Sequence, residues 1–252
     1  MNRVFQKKFK EDKVQLDKFI YDFNVSGKQF GKADRNTIKL FELGKTTINI
    51  KSFRVPNIFN QIAYKFFRKS KAQRSFEYAI KLIDLKIGTP QPIAFYEFST
   101  LFMFKKSFYI SEHLDCDLTY RDLTTNFDYP NYDDILRAFT RFTYELHEKG
   151  IHFLDHSPGN TLIKKVDNGY DFFLVDLNRM KFKPLKFKTR IKNFSRLTIH
   201  KSMIEIMSDE YAKCSGYDYE TVFSLMWKTT QDFQHWFQVK KRLKKKLKFW
   251  KK

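Results

Sequence analysis

The chain has 252 residues and a formal net charge of +20, from 48 Lys and Arg against 28 Asp and Glu. This length suits one domain with two lobes, and the charge predicts an anionic partner such as nucleic acid, anionic lipid or an acidic glycolipid. No run approaches the roughly 20 apolar residues that span a bilayer, and the first ten residues show no secretory signal. Cys116 and Cys214 lie far apart, which excludes a metal or redox motif and is typical of free thiols in a reducing cytoplasm.

The N-terminal part of the chain predicts strands joined by a short loop. Residues 1–30 are mixed and polar, and we expect a lead-in followed by a first strand. The segment Gly31–Asn36 lies between two β-like runs, of which the second is Thr37–Phe41. Gly31 and Lys32 are candidates for binding phosphate in this loop, and an ordinary hairpin turn fits the single glycine equally well.

A lysine inside a strand and a glutamate on a helix form the next candidate pair. Thr47–Phe53 alternates around Lys51 and predicts a strand, whereas Ser75–Leu85 has apolar residues at helical spacing and carries Glu77. In phosphoryl-transfer sites, a strand lysine held by a helix carboxylate neutralises the α- and β-phosphates of a nucleotide. Each residue alone is also typical of a solvated surface position.

The run Ser107–Glu112 predicts an apolar strand that passes into a polar segment ending at Leu114. Backbone groups at such a strand end can bind the edge of a nucleotide base. Glu112 and Leu114 are therefore candidate cofactor contacts, and a plain edge strand is the alternative.

A predicted long helix leads into the most informative loop. Asn131–Gly150 has polar residues at its start, an apolar stripe and a terminal glycine, which together indicate a helix. Apolar Ile151–Leu154 follows, and then Asp155–Asn160, which has the form D-x-x-x-x-N. A carboxylate such as Asp155 can accept the proton of an attacking hydroxyl, and an amide such as Asn160 can hold Mg²⁺. A turn with a capping aspartate is the alternative.

A second apolar run ends at Asp176, 21 residues after Asp155. Its carboxylate suits the second Mg²⁺ position of a nucleotide-dependent phosphotransferase. The order Lys51, Glu77, Asp155 with Asn160, and Asp176 is more specific than any of its members, and it predicts a kinase that uses ATP and Mg²⁺.

With these residues in this order, the chain resembles the lipopolysaccharide core kinases, the Kdo/heptose kinase family of small bacterial relatives of protein kinases. The resemblance runs from about Gly31 to about residue 215 and is clearest in Lys71–Tyr96, Tyr109–Leu123 and Gly150–Phe182. It is closest to the branch that acts on Kdo, the acidic octulosonic acid that joins lipid A to the core.

The resemblance implies an α+β, protein-kinase-like fold with two lobes. Residues 1–114 would form a small antiparallel β-sheet lobe with one main helix. Residues 115–252 would form a mostly helical lobe that carries the catalytic loop, the metal-binding motif and a basic C-terminal helix or tail.

The resemblance also assigns roles to residues. Asp155 would accept the proton of a Kdo hydroxyl on Kdo–lipid A as the γ-phosphoryl group transfers, and Asn160 and Asp176 would hold Mg²⁺. Position alone suggests Arg179 and Lys181 as contacts for the Kdo carboxylate or the lipid A phosphates. The remaining implied positions are catalytic Lys51 and Glu77 and the ATP contacts Gly31, Lys32, Lys51, Glu112 and Leu114.

Three departures from the wider kinase pattern bear on the substrate. Phe153 stands where protein kinases have a bracing histidine, and Ser157 replaces a lysine, which gives the D-x-x-P-G-N form of small-molecule kinases and favours a sugar hydroxyl. Asp176-Leu-Asn178 replaces D-F-G, and asparagine tolerates the left-handed backbone that this turn needs. No A-P-E-like segment follows, which argues against a regulated activation loop.

The C-terminus is strongly basic. Nine of the 48 basic residues fall in Lys240–Lys252, where Leu243, Leu247 and Trp250 recur at helical spacing. Such a helix can lie on an anionic membrane, and a solvated tail is the alternative. We expect a cytoplasmic protein that is peripheral on the inner membrane.

Three other functions remain open. A heptose kinase, or another kinase of the same fold that acts on a protein or small molecule, would use the same residues. A non-catalytic, kinase-like module would bind membrane through its basic surface. Nucleic acid is disfavoured as a partner because no recognised nucleic-acid-binding motif is present.

Overall fold

The computed structural model describes residues 1–31 and 36–249, with side chains up to residue 245. The chain divides into two compact units. The sheet unit comprises residues 1–115 together with Leu174–Asn178, and the helical unit comprises the remainder. Lys32 lies outside the described residues, as do Trp250 and the side chain of Leu247.

The sheet unit is built on one antiparallel sheet. Its strands are β1 (Asn2–Phe5), β2 (Lys28–Phe30), β3 (Thr37–Leu43), β4 (Thr46–Phe53), β5 (Pro92–Ser99) and β6 (Phe104–Glu112). The spatial order is β1-β5-β6-β4-β3-β2, and every neighbouring pair is antiparallel. In β4 the alternation predicted from the sequence buries Ile48 and Ile50 in the core and leaves Lys51 on the opposite face.

Three helices accompany the sheet: α1 (Lys13–Tyr21), α2 (Ile58–Phe66) and α3 (Lys71–Asp84). The predicted Glu77 helix is confirmed as α3, which begins where the side chain of Ser70 accepts a hydrogen bond from the N–H of Gln73 at 3.0 Å. Its apolar stripe buries Phe76, Ala79 and Leu82. Strand β1 and helix α1, which lie in the expected lead-in, and helix α2 were not predicted from the sequence.

The helical unit consists mainly of helices, with short strands around the predicted catalytic loop. Its helices are α4 (Tyr120–Leu123), α5 (Tyr132–Glu148), α6 (Phe187–Lys192), α7 (Lys201–Ser215) and α8 (Tyr219–Phe249). Its strands are β7 (Leu118–Thr119), β8 (Ile151–Phe153), β9 (Thr161–Val166), β10 (Gly169–Leu174), whose last residue belongs to the sheet unit, and β11 (Met180–Phe182).

The ends of the long helices follow from local chemistry. Gly150, which has a φ of +68°, ends the α5 segment as predicted, and Gly216 closes α7 with a φ of +72°. Asp218 caps α8 by accepting the N–H of Thr221 at 2.9 Å. Helix α7 begins at Lys201, after a turn at Thr198. There the Thr198 hydroxyl accepts the N–H of His200 and favours a turn over helix.

The predicted α+β class is confirmed by the antiparallel sheet and the following helices. Within the described residues, no helix combines the length and the apolar character needed to cross a membrane.

Candidate functional site

In the sheet unit, Lys51 and Asp176 form an ion pair. Nζ of Lys51 lies 2.7 Å from Oδ1 of Asp176, and the lysine side chain is only 13% exposed. The ring centroid of Phe53 lies 5.3 Å from the same Nζ. The pair thus places a cation that can bind phosphate next to a carboxylate that can bind a metal ion.

The segment that carries Asp176 is anchored to the sheet unit. The N–H of Leu174 donates to the carbonyl of Gly88 at 2.9 Å, and the hydroxyl of Thr89 donates to the carbonyl of Leu174 at 2.8 Å. Asp176 has a φ of +58°, and Nδ2 of the buried Asn178 donates to its Oδ1 at 2.7 Å. The left-handed residue of this turn is therefore Asp176 rather than the expected Asn178, whose side chain instead holds the aspartate.

Glu77 does not pair with Lys51 in this structure. Its carboxylate lies 2.7 Å from Nζ of Lys69 and accepts Nε2 of Gln73 at 3.0 Å. The predicted Lys51–Glu77 pair is corrected to Lys51–Asp176, because Lys51 and Glu77 each form an ion pair with another residue. A catalytic role for Glu77 stays a prediction.

The candidate ATP contacts occupy two places in the sheet unit. Gly31 has a φ of +69°, and the space around its Cα is open, so backbone donation to a ligand is sterically free there. The N–H groups of Glu112 and His113 are already bonded to the carbonyls of Gln91 and Thr47, each at 2.9 Å. A base that binds this segment must therefore use other backbone groups, such as those of Leu114.

In the helical unit, the loop between β8 and β9 presents Asp155. Nη1 of Arg196 lies 2.8 Å from Oδ1 of Asp155 and 3.0 Å from the carbonyl of Leu154, so one guanidinium fixes both the side chain and the backbone. No described residue bonds Oδ2 of Asp155, which leaves that oxygen available to a hydroxyl. The Asp155 side chain is 19% exposed.

Asn160 closes the same loop on itself. Its Nδ2 donates to the carbonyl of Asp155 at 2.8 Å, and its N–H donates to the carbonyl of Ser157 at 2.9 Å. The side-chain oxygen of Asn160 is thus the atom available as a metal ligand. A Cβ built on the preceding Gly159 would lie 2.7 Å from Nη2 of Arg121, which places a second arginine beside the loop.

A buried chain of hydrogen bonds fixes the backbone just before Asp155. Nδ2 of Asn193 donates to the carbonyl of Phe153 at 2.8 Å. The Oδ1 of Asn193 lies 3.2 Å from Nε2 of His147, whose Nδ1 lies 3.0 Å from the hydroxyl of Tyr211. Burial lowers the pKa of His147 to about 3, so the ring is neutral and can bridge these groups. These hydrogen bonds brace the loop, a role that a histidine at the position of Phe153 has in protein kinases.

His156, which follows Asp155, is fully buried between aromatic rings. Its ring centroid lies 5.4 Å from that of Phe139 and 5.7 Å from that of Phe153. No described protein group bonds either ring nitrogen. Burial is the main cause that lowers its pKa to about 3, so His156 acts as a neutral packing residue rather than as a base.

Arg179 and Lys181, the candidate substrate contacts, are both exposed, and buried Met180 separates them. Strand β11 pairs with β8 so that Lys181 lies opposite His152, and the N–H of Leu154 donates to the carbonyl of Arg179 at 3.0 Å. Burial, together with the charges of Lys181 and Lys183, lowers the pKa of His152. Cations therefore flank the catalytic loop within the helical unit.

Four residues that hold or flank the loop from Asp155 to Asn160 were not predicted from the sequence. Arg196, Asn193, His147 and Arg121 stand in segments without a phosphoryl-transfer motif, so spacing gave no signal for them. Only the register of the fold brings them to the loop.

Comparison with solved structures identifies the fold. A structure described as WaaP in complex with acyl carrier protein is similar to this chain with a TM-score of 0.62 and 15% sequence identity. The match covers 92% of this chain and 99% of that one. It confirms the predicted protein-kinase-like fold. No curated protein sequence matches the chain.

The family then follows from the sequence itself. The model of the Lipopolysaccharide kinase (Kdo/WaaP) family matches residues 42–222, and the chain belongs to this family. Membership confirms the predicted class, a lipopolysaccharide kinase, and implies that ATP is its phosphoryl donor.

Proposed function

We propose that the protein transfers the γ-phosphoryl group of ATP to a hydroxyl of Kdo in Kdo–lipid A, at the cytoplasmic face of the inner membrane. Family membership supports a lipopolysaccharide acceptor. The observation that carries the proposal is Asp155, whose Oδ1 is fixed by Arg196 at 2.8 Å while Oδ2 remains available to a hydroxyl. Positioning of this kind supplies most of the catalysis in phosphoryl transfer.

The chain offers suitable groups for the nucleotide and its metal. The oxygens of Asn160 and Asp176 match the preference of Mg²⁺ for one or two protein oxygens beside phosphate oxygens. Bound Mg²⁺ would neutralise charge on the transferring phosphoryl group. Lys51 would contribute a further positive charge to the phosphates. Backbone groups near Glu112 and Leu114 would bind adenine.

The acceptor is an anionic sugar, and the catalytic loop has cations around it. Arg179 and Lys181 are exposed beside β8, and Arg121 lies against Gly159. We assign these three residues to the Kdo carboxylate or to lipid A phosphates, because guanidinium and ammonium groups bind such anions. Asp155 would orient the hydroxyl and accept its proton.

The C-terminal part of α8 suits a membrane surface. Trp236, Val239 and Leu243 are exposed at spacings of three and four residues, and Nζ of Lys240 lies 4.5 Å from the Trp236 ring centroid. An apolar stripe among lysines is typical of helices that lie on anionic lipid. We propose that this helix keeps the enzyme near its glycolipid acceptor.

The test is transfer of labelled γ-phosphate from Mg·ATP to Kdo–lipid A in mixed micelles, with Asp155→Asn and the exposed control Asp171→Asn alongside. We expect label in the glycolipid with the parent and with Asp171→Asn, and a loss of at least about 100-fold with Asp155→Asn. Label in heptose-containing core but not in Kdo–lipid A would reassign the acceptor. ATP binding without transfer to any acceptor would favour the non-catalytic alternative.

A further inference from the structure

Helix α2 presents its apolar side to solvent. At about 100° per residue, Ile58, Phe59, Ile62 and Phe66 fall within an arc of about 100°. All four are exposed, Phe59 by 80% and Phe66 by 56%. We refer to these four residues as the α2 face. In an ordinary surface helix the apolar stripe points towards the core, so the orientation of α2 is reversed.

Specific contacts hold α2 in this orientation. The ring of Tyr64 packs on Phe104 with centroids 5.7 Å apart. Nε2 of Gln61 donates to the carbonyl of Pro56 at 2.9 Å, and Nζ of Lys65 donates to the Ser99 hydroxyl at 3.2 Å. The side of the helix that carries Tyr64 and Lys65 therefore contacts strands β6 and β5, and the apolar side is left outward.

The surroundings of the α2 face are cationic. Residues 43–76 contain eight Lys and Arg and no Asp or Glu, although Lys51 and Lys69 are paired with carboxylates from outside this segment. Arg54 and Arg68, which precede and follow the helix, are exposed. The turn after β5 adds exposed Leu101 and Phe102. An exposed apolar face of this kind marks an interaction site, and its basic border matches an anionic partner.

We propose that the α2 face inserts into the headgroup region of an anionic lipid bilayer and so docks the sheet unit on the membrane. Apolar insertion combined with surrounding cations is the physical signature of interfacial helices. The four side chains expose roughly 500 Å² together, less than the about 800 Å² that each partner contributes to a standard protein interface. The α2 face is separate from the basic C-terminal helix. Its insertion into lipid is a further property of the protein and does not depend on the proposed reaction.

The first experiment is co-sedimentation of the full-length protein with vesicles of phosphatidylcholine and phosphatidylglycerol that contain no acceptor glycolipid. We expect the double variant Phe59→Ser/Phe66→Ser to partition roughly tenfold more weakly than the parent. The control Val14→Ser/Val25→Ser, at positions 81% and 89% exposed, should bind like the parent. The effect of the α2 substitutions should persist at high salt, because apolar insertion is not screened. Equal binding by the parent and the α2 variant would overturn the proposal.

The second experiment places a reporter in the face. In a background in which the native Trp227, Trp236 and Trp250 are replaced by Phe, the Trp of Phe59→Trp should be quenched by lipids brominated on their acyl chains, whereas that of Val25→Trp should not. An absence of quenching at position 59 would overturn the proposal even if the double variant failed to fold. Two other outcomes would assign the α2 face to a protein partner instead. In either, Phe59→Ser/Phe66→Ser would leave vesicle binding unchanged. It would dissociate a dimer formed by the parent, or abolish a complex of the parent with acyl carrier protein.

Discussion

Replacing Arg196 by alanine should separate positioning of the catalytic loop from simple stabilisation. The guanidinium bonds the carbonyl of Leu154 at 3.0 Å and pairs with the partly exposed Asp155 at 2.8 Å. A charge-assisted bond of about 1.5 kcal/mol and a partly solvated ion pair of about 0.5–1 kcal/mol give a loss of roughly 2 kcal/mol. For a chain of this size, that corresponds to a Tm lower by about 4–8 °C.

The catalytic effect should be larger than the effect on stability. Because Oδ1 of Asp155 loses its partner, the carboxylate can leave the geometry needed for the acceptor hydroxyl, and an error of about 1 Å costs up to roughly 100-fold. We therefore expect kcat of Arg196→Ala to fall about 10- to 100-fold at a temperature where the variant is folded, with the KM for ATP unchanged. Arg196→Lys should recover part of this loss, because it keeps the charge but not the forked geometry.

Arg137→Ala is the control for this experiment. The partly exposed guanidinium of Arg137 pairs with Asp133, Asp209 and Glu210 on helices α5 and α7, and none of these ion pairs involves the catalytic loop. Arg137→Ala should lower Tm with kcat nearly unchanged. Phosphoryl transfer to Kdo–lipid A measured over a range of ATP concentrations gives both constants. A positioning role for Arg196 is refuted if Arg196→Ala keeps kcat within twofold of the parent, or if Arg137→Ala lowers kcat as much.

Three further predictions concern other parts of the chain. If Glu77 leaves Lys69 for Lys51 when nucleotide binds, Glu77→Gln should lower kcat, whereas Lys69→Met should leave kcat near the parent value. Equal, small effects of the two substitutions in steady-state kinetics would show that the Lys69–Glu77 pair is only structural. His156 has a folded pKa of about 3, below its unfolded value of about 6.5, so protonation favours unfolding and stability falls as the pH drops below about 6.5. In urea titrations, His156→Leu should reduce the stability lost between about pH 7 and pH 5 by about 2 kcal/mol, and an unchanged loss would contradict this assignment. Removal of residues 240–252 should weaken sedimentation with anionic vesicles mainly at low salt, and unchanged sedimentation would exclude the tail as a membrane contact.

The sequence located the residues whose chemistry has a characteristic spacing. Asp155 and Asn160 lie in one loop, Lys51 lies within β4 and Asp176 follows β10, because strand alternation and the ends of apolar runs are encoded locally. The partners of these residues depend on tertiary register instead. Arg196 reaches Asp155 only through the packing of the helical unit, so no local sequence pattern predicts this contact.

Two further differences between the predictions and the structure also arise from tertiary contacts that the local sequence does not encode. Glu77 was assigned to Lys51 from the order of the chain, but Lys69, eight residues before it, provides a nearer charge. Helix α2 has an apolar stripe in its sequence, and nothing local indicates that the stripe faces outward. That orientation follows from Tyr64 and Lys65, which contact Phe104 and Ser99 of the sheet.

The assignment of Leu174–Asn178 to the sheet unit has a consequence for synthesis of the protein. Residues up to 115 leave the ribosome first, yet this unit still lacks the segment that bonds Gly88 and Thr89 and supplies the partner of Lys51. At about 5–20 residues per second, the missing segment is made roughly 3–12 s later. During that interval Lys51, the carbonyl of Gly88 and the hydroxyl of Thr89 lack these partners in the nascent sheet unit. The unit becomes complete only after the segment from Asp155 to Asn160 has been translated.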